Sequence, residues 1–179
     1  GTTRLLVPAL IGAISAKPAV KGPSELQRWD EPSFLDEIGS RHGPELRDVV
    51  RRLLGWTRET FDWIYWGEGQ SGGFSARIRF GVDKGPAAFV VYTYGRVEIG
   101  FQYLKGYPPY DDEARRESLR QQLVSQLGVD IPESSLSKRP SFPVELLKDP
   151  RVYSAFIGLM GGVAHDLRSH PPGGARRGV

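Results

Sequence analysis

"AAFVVYTYGRVEIGFQYL", residues 87–104, decides the fold, because its aromatic and β-branched residues form two strand-like runs, and in the second run apolar residues recur at every second position. A period of two is that of a β-strand, whose successive side chains point to opposite faces of a sheet. Gly95 and Arg96 separate two such runs, and a glycine at the first of two turn positions suits a type II′ hairpin turn. The stretch therefore predicts two antiparallel strands joined at Gly95.

The aromatic rings of this hairpin could be core or a surface that stacks on a ligand. In the second strand, Phe101 and Tyr103 share the apolar side with Val97 and Ile99, so we expect these rings to pack in the core. In the first strand, two alternating sets are both apolar enough to face inward. They are Phe89, Val91 and Thr93 on one side, and Tyr92 and Tyr94 on the other. The pattern leaves open which set is the inner one.

Two more strands are predicted upstream, in "FDWIYWG" (61–67) and "GFSARIRFGV" (73–82). The second of these places Ser75, Arg77 and Arg79 on one side. The other side is apolar and consists of Phe74, Ala76, Ile78 and Phe80. The block thus predicts a sheet with one apolar face and one polar face.

Segments with a helical period of 3.6 residues lie on both sides of this block. Asp30, Asp111 and Asp149 are predicted caps that begin helices, Pro44 begins another, and Gly39 and Gly128 are predicted ends. Residues 129–148 read as a connection with one short helix from Pro143. The fold class is therefore α+β: an antiparallel meander of about four strands over residues 61–104, with helices before and after it packed mainly on one face.

A chain of 179 residues suits one domain, which we place at residues 29–168. Residues 1–28 are predicted to be an N-terminal arm and linker, and residues 169–179 a disordered tail. The apolar run from Leu5 to Ile14 is too short to cross a bilayer, so we expect no membrane association and a cytoplasmic location.

Composition excludes several kinds of site. With no cysteine, the chain has no disulfide, no thiolate nucleophile and no cysteine-based zinc site, and no cofactor is predicted.

"GEGQSGGF" (67–74) contains G-x-G-x-x-G, but a dinucleotide site needs a helix after that motif and a strand follows here. The stretch is better explained as a hairpin connection.

Two carboxylates, Asp83 and Glu98, are the candidates for catalysis, since a metal-dependent nuclease needs acidic side chains that converge from neighbouring strands. The lysine that usually follows the second carboxylate is missing, because Ile99 and Gly100 come after Glu98. An enzyme of this kind, a nuclease-like hydrolase with a degenerate site, is therefore the alternative hypothesis rather than the leading one.

The polar face of the sheet is the better functional candidate. Arginine and amide side chains on strands can contact phosphates and bases, and the net charge of +3 permits such contacts. The predicted nucleic-acid-binding residues are Arg77, Arg79, Arg96, Gln102 and Lys105. The competing explanations are a solvated sheet face, or a protein–protein adaptor or homodimer anchored by Trp63, Tyr65 or Trp66.

Four segments carry a resemblance that spans about Trp29 to Arg168. They are "WGEG" (66–69), "TYGRVEIGFQYL" (93–104), "PPYDDEARRESL" (108–119) and "RPSFPVELLKDP" (139–150). In these the chain resembles an uncharacterised bacterial domain found alone or appended to nuclease- and restriction-type proteins. The resemblance implies an accessory module in DNA metabolism or phage defence, and it implies no catalytic residues. A non-catalytic, nucleic-acid-associated binding module is the leading expectation.

Overall fold

An antiparallel sheet forms the centre of the computed structural model, which describes residues 28–173. Its five strands follow one another in chain order: β1 (Trp63–Trp66), β2 (Gly73–Phe80), β3 (Asp83–Tyr92), β4 (Arg96–Ile99) and β5 (Ser141–Pro143). The helices are α1 (Glu31–His42), α2 (Pro44–Thr60), α3 (Phe101–Leu104), α4 (Glu113–Leu127) and α5 (Pro150–Ser169). The predicted α+β meander flanked by helices is confirmed, with a fifth strand at its edge.

The first two helices begin where their capping residues predict. The Asp30 carboxylate accepts a hydrogen bond from the Ser33 backbone N–H, and the Ser33 side chain accepts one from the Asp30 backbone N–H, which is a capping box. α1 runs three residues past Gly39, the predicted end, to His42. Pro44 is the first residue of α2, whose predicted apolar stripe is buried: Leu46, Val49, Val50, Leu53 and Leu54.

The register of the strands sorts the side chains into two faces. One row runs across all five strands and is apolar: Trp66, Phe74, Val91, Val97 and Phe142. We call this side the inner face, because the helices pack on it. Phe89 lies at its centre and contacts the rings of Trp56 in α2 and Phe156 in α5. Phe89 and Val91 are therefore the inward set of β3, which settles the alternative that the pattern left open.

The hairpin between β3 and β4 has a three-residue turn rather than the predicted two-residue turn. Tyr92 pairs with Arg96, so Thr93, Tyr94 and Gly95 form the connection. Gly95 has φ +82°, in the left-handed region that glycine adopts at little steric cost. Three-residue hairpin loops typically place such a residue last, before the next strand. Gly95 has the predicted backbone freedom, but it is the last of three turn residues rather than the first of two.

β4 ends at Ile99, so the prediction of a strand through residue 104 is wrong. A Cβ atom at Gly100 would lie 2.2 Å from the carbonyl oxygen of Ala87, which shows how closely the two strands approach at that point. The chain then turns into α3, a single helical turn. Phe101 is buried as expected, whereas Tyr103 is only half-buried and leaves the core.

The C-terminal third follows its capping signals closely. α4 is capped by Asp112, one residue after the predicted Asp111, and ends at Gly128 as expected. Pro143 begins a 3₁₀ turn over Val144–Lys148, and the residues before it form β5, which the sequence did not predict. α5 is capped by Asp149 and packs against α4.

The predicted arm falls almost wholly outside the described residues, as does the end of the predicted tail. Arg28, at the start of the described part, forms an isolated β-bridge with Glu68. Ser169 is the last residue of α5 and residues 170–173 follow it. Within residues 28–173, no helix has the length and apolar character needed to cross a membrane.

Candidate nucleic-acid interface

The sheet face opposite the helices carries a mostly polar row of side chains, in contrast to the apolar row on the inner face. It consists of Tyr65, Ser75, Val90, Glu98 and Ser141, one residue from each strand. We call this side the outer face. β2 and β3 contribute the short side chains of Ser75 and Val90, whereas Tyr65 on β1 and Glu98 on β4 are longer. A depression over β2 and β3 follows from this order of sizes.

The depression is a pocket with a volume of about 180 Å³, which we call the tyrosine pocket. Its aromatic walls are Tyr65, Tyr92 and Tyr103, and its floor is made by Gly73, Ser75 and Val90. Arg77 and Glu68 add polar groups to the lining. Tyr65 stands on the edge strand with 43% of its surface exposed, so its ring is accessible from solvent. Planar rings with their faces exposed can stack on a flat partner.

Beside this pocket, three cations surround the indole of Trp63, and we call them the cation cluster. The guanidinium carbons of Arg77 and Arg79 and the ammonium nitrogen of Lys84 each lie 5.6 Å from the centre of the Trp63 ring. Arg77 also lies 5.4 Å from the centre of the Tyr65 ring. Contacts with aromatic faces orient these cations without neutralising them. Three positive charges therefore stand within about 11 Å of one another, by the geometry of their shared ring.

Within residues 28–173, the cluster differs from most lysine and arginine residues in having no ion pair. Among the described residues, no carboxylate oxygen lies within 4.0 Å of the charged nitrogens of Arg77, Arg79 or Lys84, whereas Arg41, Arg58 and Arg168 each contact an acidic side chain. Asp62, a nearby acid, accepts from the Arg79 backbone N–H and pairs with Arg168 instead. The described part of the chain thus leaves this concentration of charge uncompensated.

Arg77 is held by hydrogen bonds from its side chain. Its Nε donates to the Ser75 hydroxyl at 3.1 Å and its Nη1 to the Gly85 carbonyl oxygen at 3.4 Å. The indole Nε1 of Trp63 below it is shielded from solvent and has no hydrogen-bond partner among the described residues. Arg79 and Lys84, in contrast, are exposed at the strand ends. The cluster therefore has one hydrogen-bonded cation and two exposed ones.

A second polar group stands at the other edge of the tyrosine pocket. The Arg139 guanidinium lies 3.6 Å from the Glu98 carboxylate and donates to the Tyr103 hydroxyl at 3.0 Å. Burial raises the pKa of Glu98 above its usual range, and the nearby Arg139 charge partly opposes this shift. Burial, with Glu98 beside it, also raises the pKa of Tyr92 to about 12. Tyr92 thus keeps its hydroxyl proton through the physiological range, and it donates this proton to the Glu98 carboxylate at 3.4 Å.

The structure places the five predicted binding residues in three different settings. Arg77 and Arg79 lie together on the outer face, although β2 is irregular between them. Arg96 is held by β5, since its Nη2 donates to the Ser141 carbonyl oxygen at 2.6 Å. Gln102 and Lys105 are exposed in and just after α3, beyond the end of the shortened β4. Only the first two lie in the cation cluster.

The two predicted carboxylates are not brought together. Asp83 is the first residue of β3 and pairs with Phe80, whereas Glu98 pairs with Val90. Seven residues of strand separate these positions, or roughly 23 Å at about 3.3 Å per residue. One metal ion cannot contact both. Within residues 28–173, no three histidine, aspartate or glutamate side chains are grouped so that they could hold a metal ion.

The residues predicted to anchor a protein partner are also divided between the faces. Trp66 packs inward against Phe34 and Phe74. Trp63 is half-buried beneath the cation cluster, and Tyr65 alone of the three is exposed. An adaptor surface built on all three rings is therefore not formed by the described part of the chain.

Sequence reasoning missed Lys84, Arg139 and Tyr103 as parts of this face. Lys84 could have been found, because a tight turn between β2 and β3 brings it opposite Arg79. Arg139 precedes β5, whose pairing with β4 had no sequence signal, and Tyr103 was assigned to a strand that ends before it.

Comparisons of the chain with protein-family models, with curated proteins and with solved structures found no match. The resemblance described from the sequence stays a prediction, and the geometry of the outer face is the ground for inferring function.

Proposed function

We propose that this protein is a non-catalytic binding module for nucleic acid and that the outer face of its sheet is the binding surface. The observation that carries the proposal is the cation cluster, in which Arg77, Arg79 and Lys84 surround Trp63 without an acidic partner among the described residues. A phosphate backbone supplies the missing negative charge. A role of the protein in DNA metabolism or phage defence extends this proposal on the strength of the resemblance alone. Its cytoplasmic location stays a prediction from the short apolar run between Leu5 and Ile14.

Electrostatics favours a polyanion over a single anion at this site. Three cations that face solvent repel one another, and a ligand with several phosphates relieves that repulsion at more than one point. Each phosphate that is neutralised also releases condensed counterions, so affinity falls as salt rises. The hydrogen-bonded Arg77 fixes one contact, while the exposed Arg79 and Lys84 follow the backbone on either side.

Binding of a short labelled single strand across a salt series tests the proposal. We expect Arg79→Ala/Lys84→Ala to weaken binding for every sequence and to flatten the log–log salt slope by about 1.4, since each lost phosphate contact is worth about 0.7 on a single strand. These two residues are exposed, so the fold should survive their removal. Arg77 is kept, because its hydrogen bonds also support the strand.

The matched control is Arg51→Ala/Arg151→Ala, which removes the same charge from exposed positions in α2 and α5, in the helical layer. It should bind with nearly the parent affinity and slope. If the two double variants behave alike, net charge rather than the outer face governs binding, and the proposal fails. It also fails if the parent protein binds no nucleic acid at low salt.

A further inference from the structure

We infer that the ligand is single-stranded and that the tyrosine pocket takes one of its unpaired bases. This inference rests on the proposed function and adds to it the chemical class of the ligand. Arg77 connects the two parts of the site, because it lines the tyrosine pocket and also belongs to the cation cluster. A base in the pocket would thus have its own backbone phosphate beside the cluster.

The size and lining of the pocket favour a base over other groups. Its volume of about 180 Å³ is below the about 300–1,000 Å³ of sites that enclose a drug-sized ligand, so it has room for one ring system. The tyrosine rings offer flat apolar surfaces, and the Ser75 hydroxyl, which accepts from Arg77, still has a proton to donate. The Glu68 carboxylate in the lining, which pairs with Arg28 at 3.4 Å, opposes a phosphate inside the pocket itself. Phosphates therefore belong on the cluster and the ring in the pocket.

The shape of the face favours a single strand over a duplex. In a duplex both faces of every base are covered by its neighbours, so no ring can enter a pocket in a sheet without being unstacked. Single strands expose their bases, and open sheet faces bind them by stacking bases on aromatic side chains and tracking the backbone with cations. Both components are present here and adjacent.

Three ligands distinguish the contribution of the bases to binding from that of the phosphate backbone. The first is a mixed-sequence single strand of about twelve nucleotides, a length within the about 4–16 nucleotides that comparable sites cover. The second is the duplex of this strand with its complement. The third is an abasic strand of equal length with the same number of phosphates. We expect the intact strand to bind the parent protein more tightly than either of the others. The abasic strand should bind about five- to 150-fold more weakly, which is the range for one stacked base, with an unchanged salt slope.

Tyr65 provides the protein-side test, since it is exposed on an edge strand and its removal should leave the fold intact. Tyr65→Ala should weaken binding of the intact strand by a similar factor without changing the salt slope, and should not affect the abasic strand. Tyr65→Phe, which keeps the ring, should bind like the parent. Tyr153→Ala on α5 is the control, because Tyr153 is half-buried in the helical layer and has Arg52 over its ring at 5.3 Å, as Arg77 lies over Tyr65.

The outcomes distinguish this inference from the proposed function. If the duplex or the abasic strand binds as tightly as the intact strand, with a salt slope that still depends on Arg79 and Lys84, the base pocket is wrong and the phosphate-binding face stands. If Tyr65→Ala binds all three ligands like the parent, the base pocket is likewise wrong. If none of the three ligands binds in a salt-dependent way, both proposals are wrong.

Discussion

Gly95 is the single position on which the central hairpin depends most clearly. Its φ of +82° is a backbone angle that residues other than glycine rarely adopt. A Cβ atom there would also lie 2.9 Å from Cε1 of His42. His42 in turn has its Nε2 2.9 Å from the Thr93 carbonyl oxygen, so the end of α1 and the hairpin turn fit together at this glycine. Any substitution of Gly95 would therefore strain the backbone and displace the His42 ring.

We therefore expect Gly95→Ala to lower the free energy of unfolding by about 1–3 kcal/mol, the usual cost of a side chain held in the left-handed region. Urea denaturation of the parent and the variant measures this difference. The control is Gly158→Ala in the middle of α5, where no atom lies within 4 Å of the added Cβ. There the same change should stabilise by up to about 1 kcal/mol, because alanine favours helix. Equal effects at the two sites would refute this explanation of the turn.

Contacts between elements depend on a buried arginine that no sequence pattern singles out. Arg116 in α4 is only 5% exposed, and it donates to the carbonyl oxygens of Leu136, Tyr110 and Asp111. The nearest carboxylate, of Glu113, is 3.8 Å away and largely exposed. Backbone carbonyl groups thus provide most of the compensation for this buried charge. The hydrogen bonds from Arg116 to these groups join α4 to the loops on both sides of it.

Replacing Arg116 with Met should therefore cost roughly 3 kcal/mol, because several buried carbonyl groups lose their donor. Arg116→Lys should recover only part of that loss, since one ammonium group cannot reproduce the fork of the guanidinium. Thermal and urea unfolding measure both variants. Arg51→Met on the exposed side of α2 should change stability by less than about 0.5 kcal/mol. A cost for Arg116→Met as small as that of Arg51→Met would show that the loops do not need the arginine.

The elements with strong local signals were predictable from the sequence. Asp30, Pro44, Gly128 and Asp149 mark helix boundaries through capping chemistry that acts within a few residues. The alternation in β2 and β3 was predictable for the same reason. The sequence did not reveal β5 or the early end of β4, because both depend on contacts between distant segments, such as Val97 with Phe142 and Gly100 with Ala87.

The candidate site was predictable only in part, since it is a property of the whole sheet. Alternation along β2 identified Arg77 and Arg79, and these two do lie together. The tyrosine pocket needed the register of four strands and the turn of chain into α3, which bring Tyr65, Tyr92 and Tyr103 to one place. No spacing along the chain encodes that arrangement. The separation of Asp83 from Glu98 was likewise invisible until the register was known.

The most direct measurement of where a ligand binds is an amide correlation spectrum of nitrogen-labelled protein, titrated with the single strand. In a chain of this size, the amide resonances of each strand of the sheet can be followed separately. We expect the resonances that move to belong to β1, β2 and the two ends of β3, around Trp63, Tyr65 and Lys84, with one shared dissociation constant. Resonances of α4 and α5, including those around the smaller depression at Arg115 and Asp166, should stay in place. Shifts confined to α4 and α5, or no shifts with excess strand at low salt, would contradict a nucleic-acid-binding outer face.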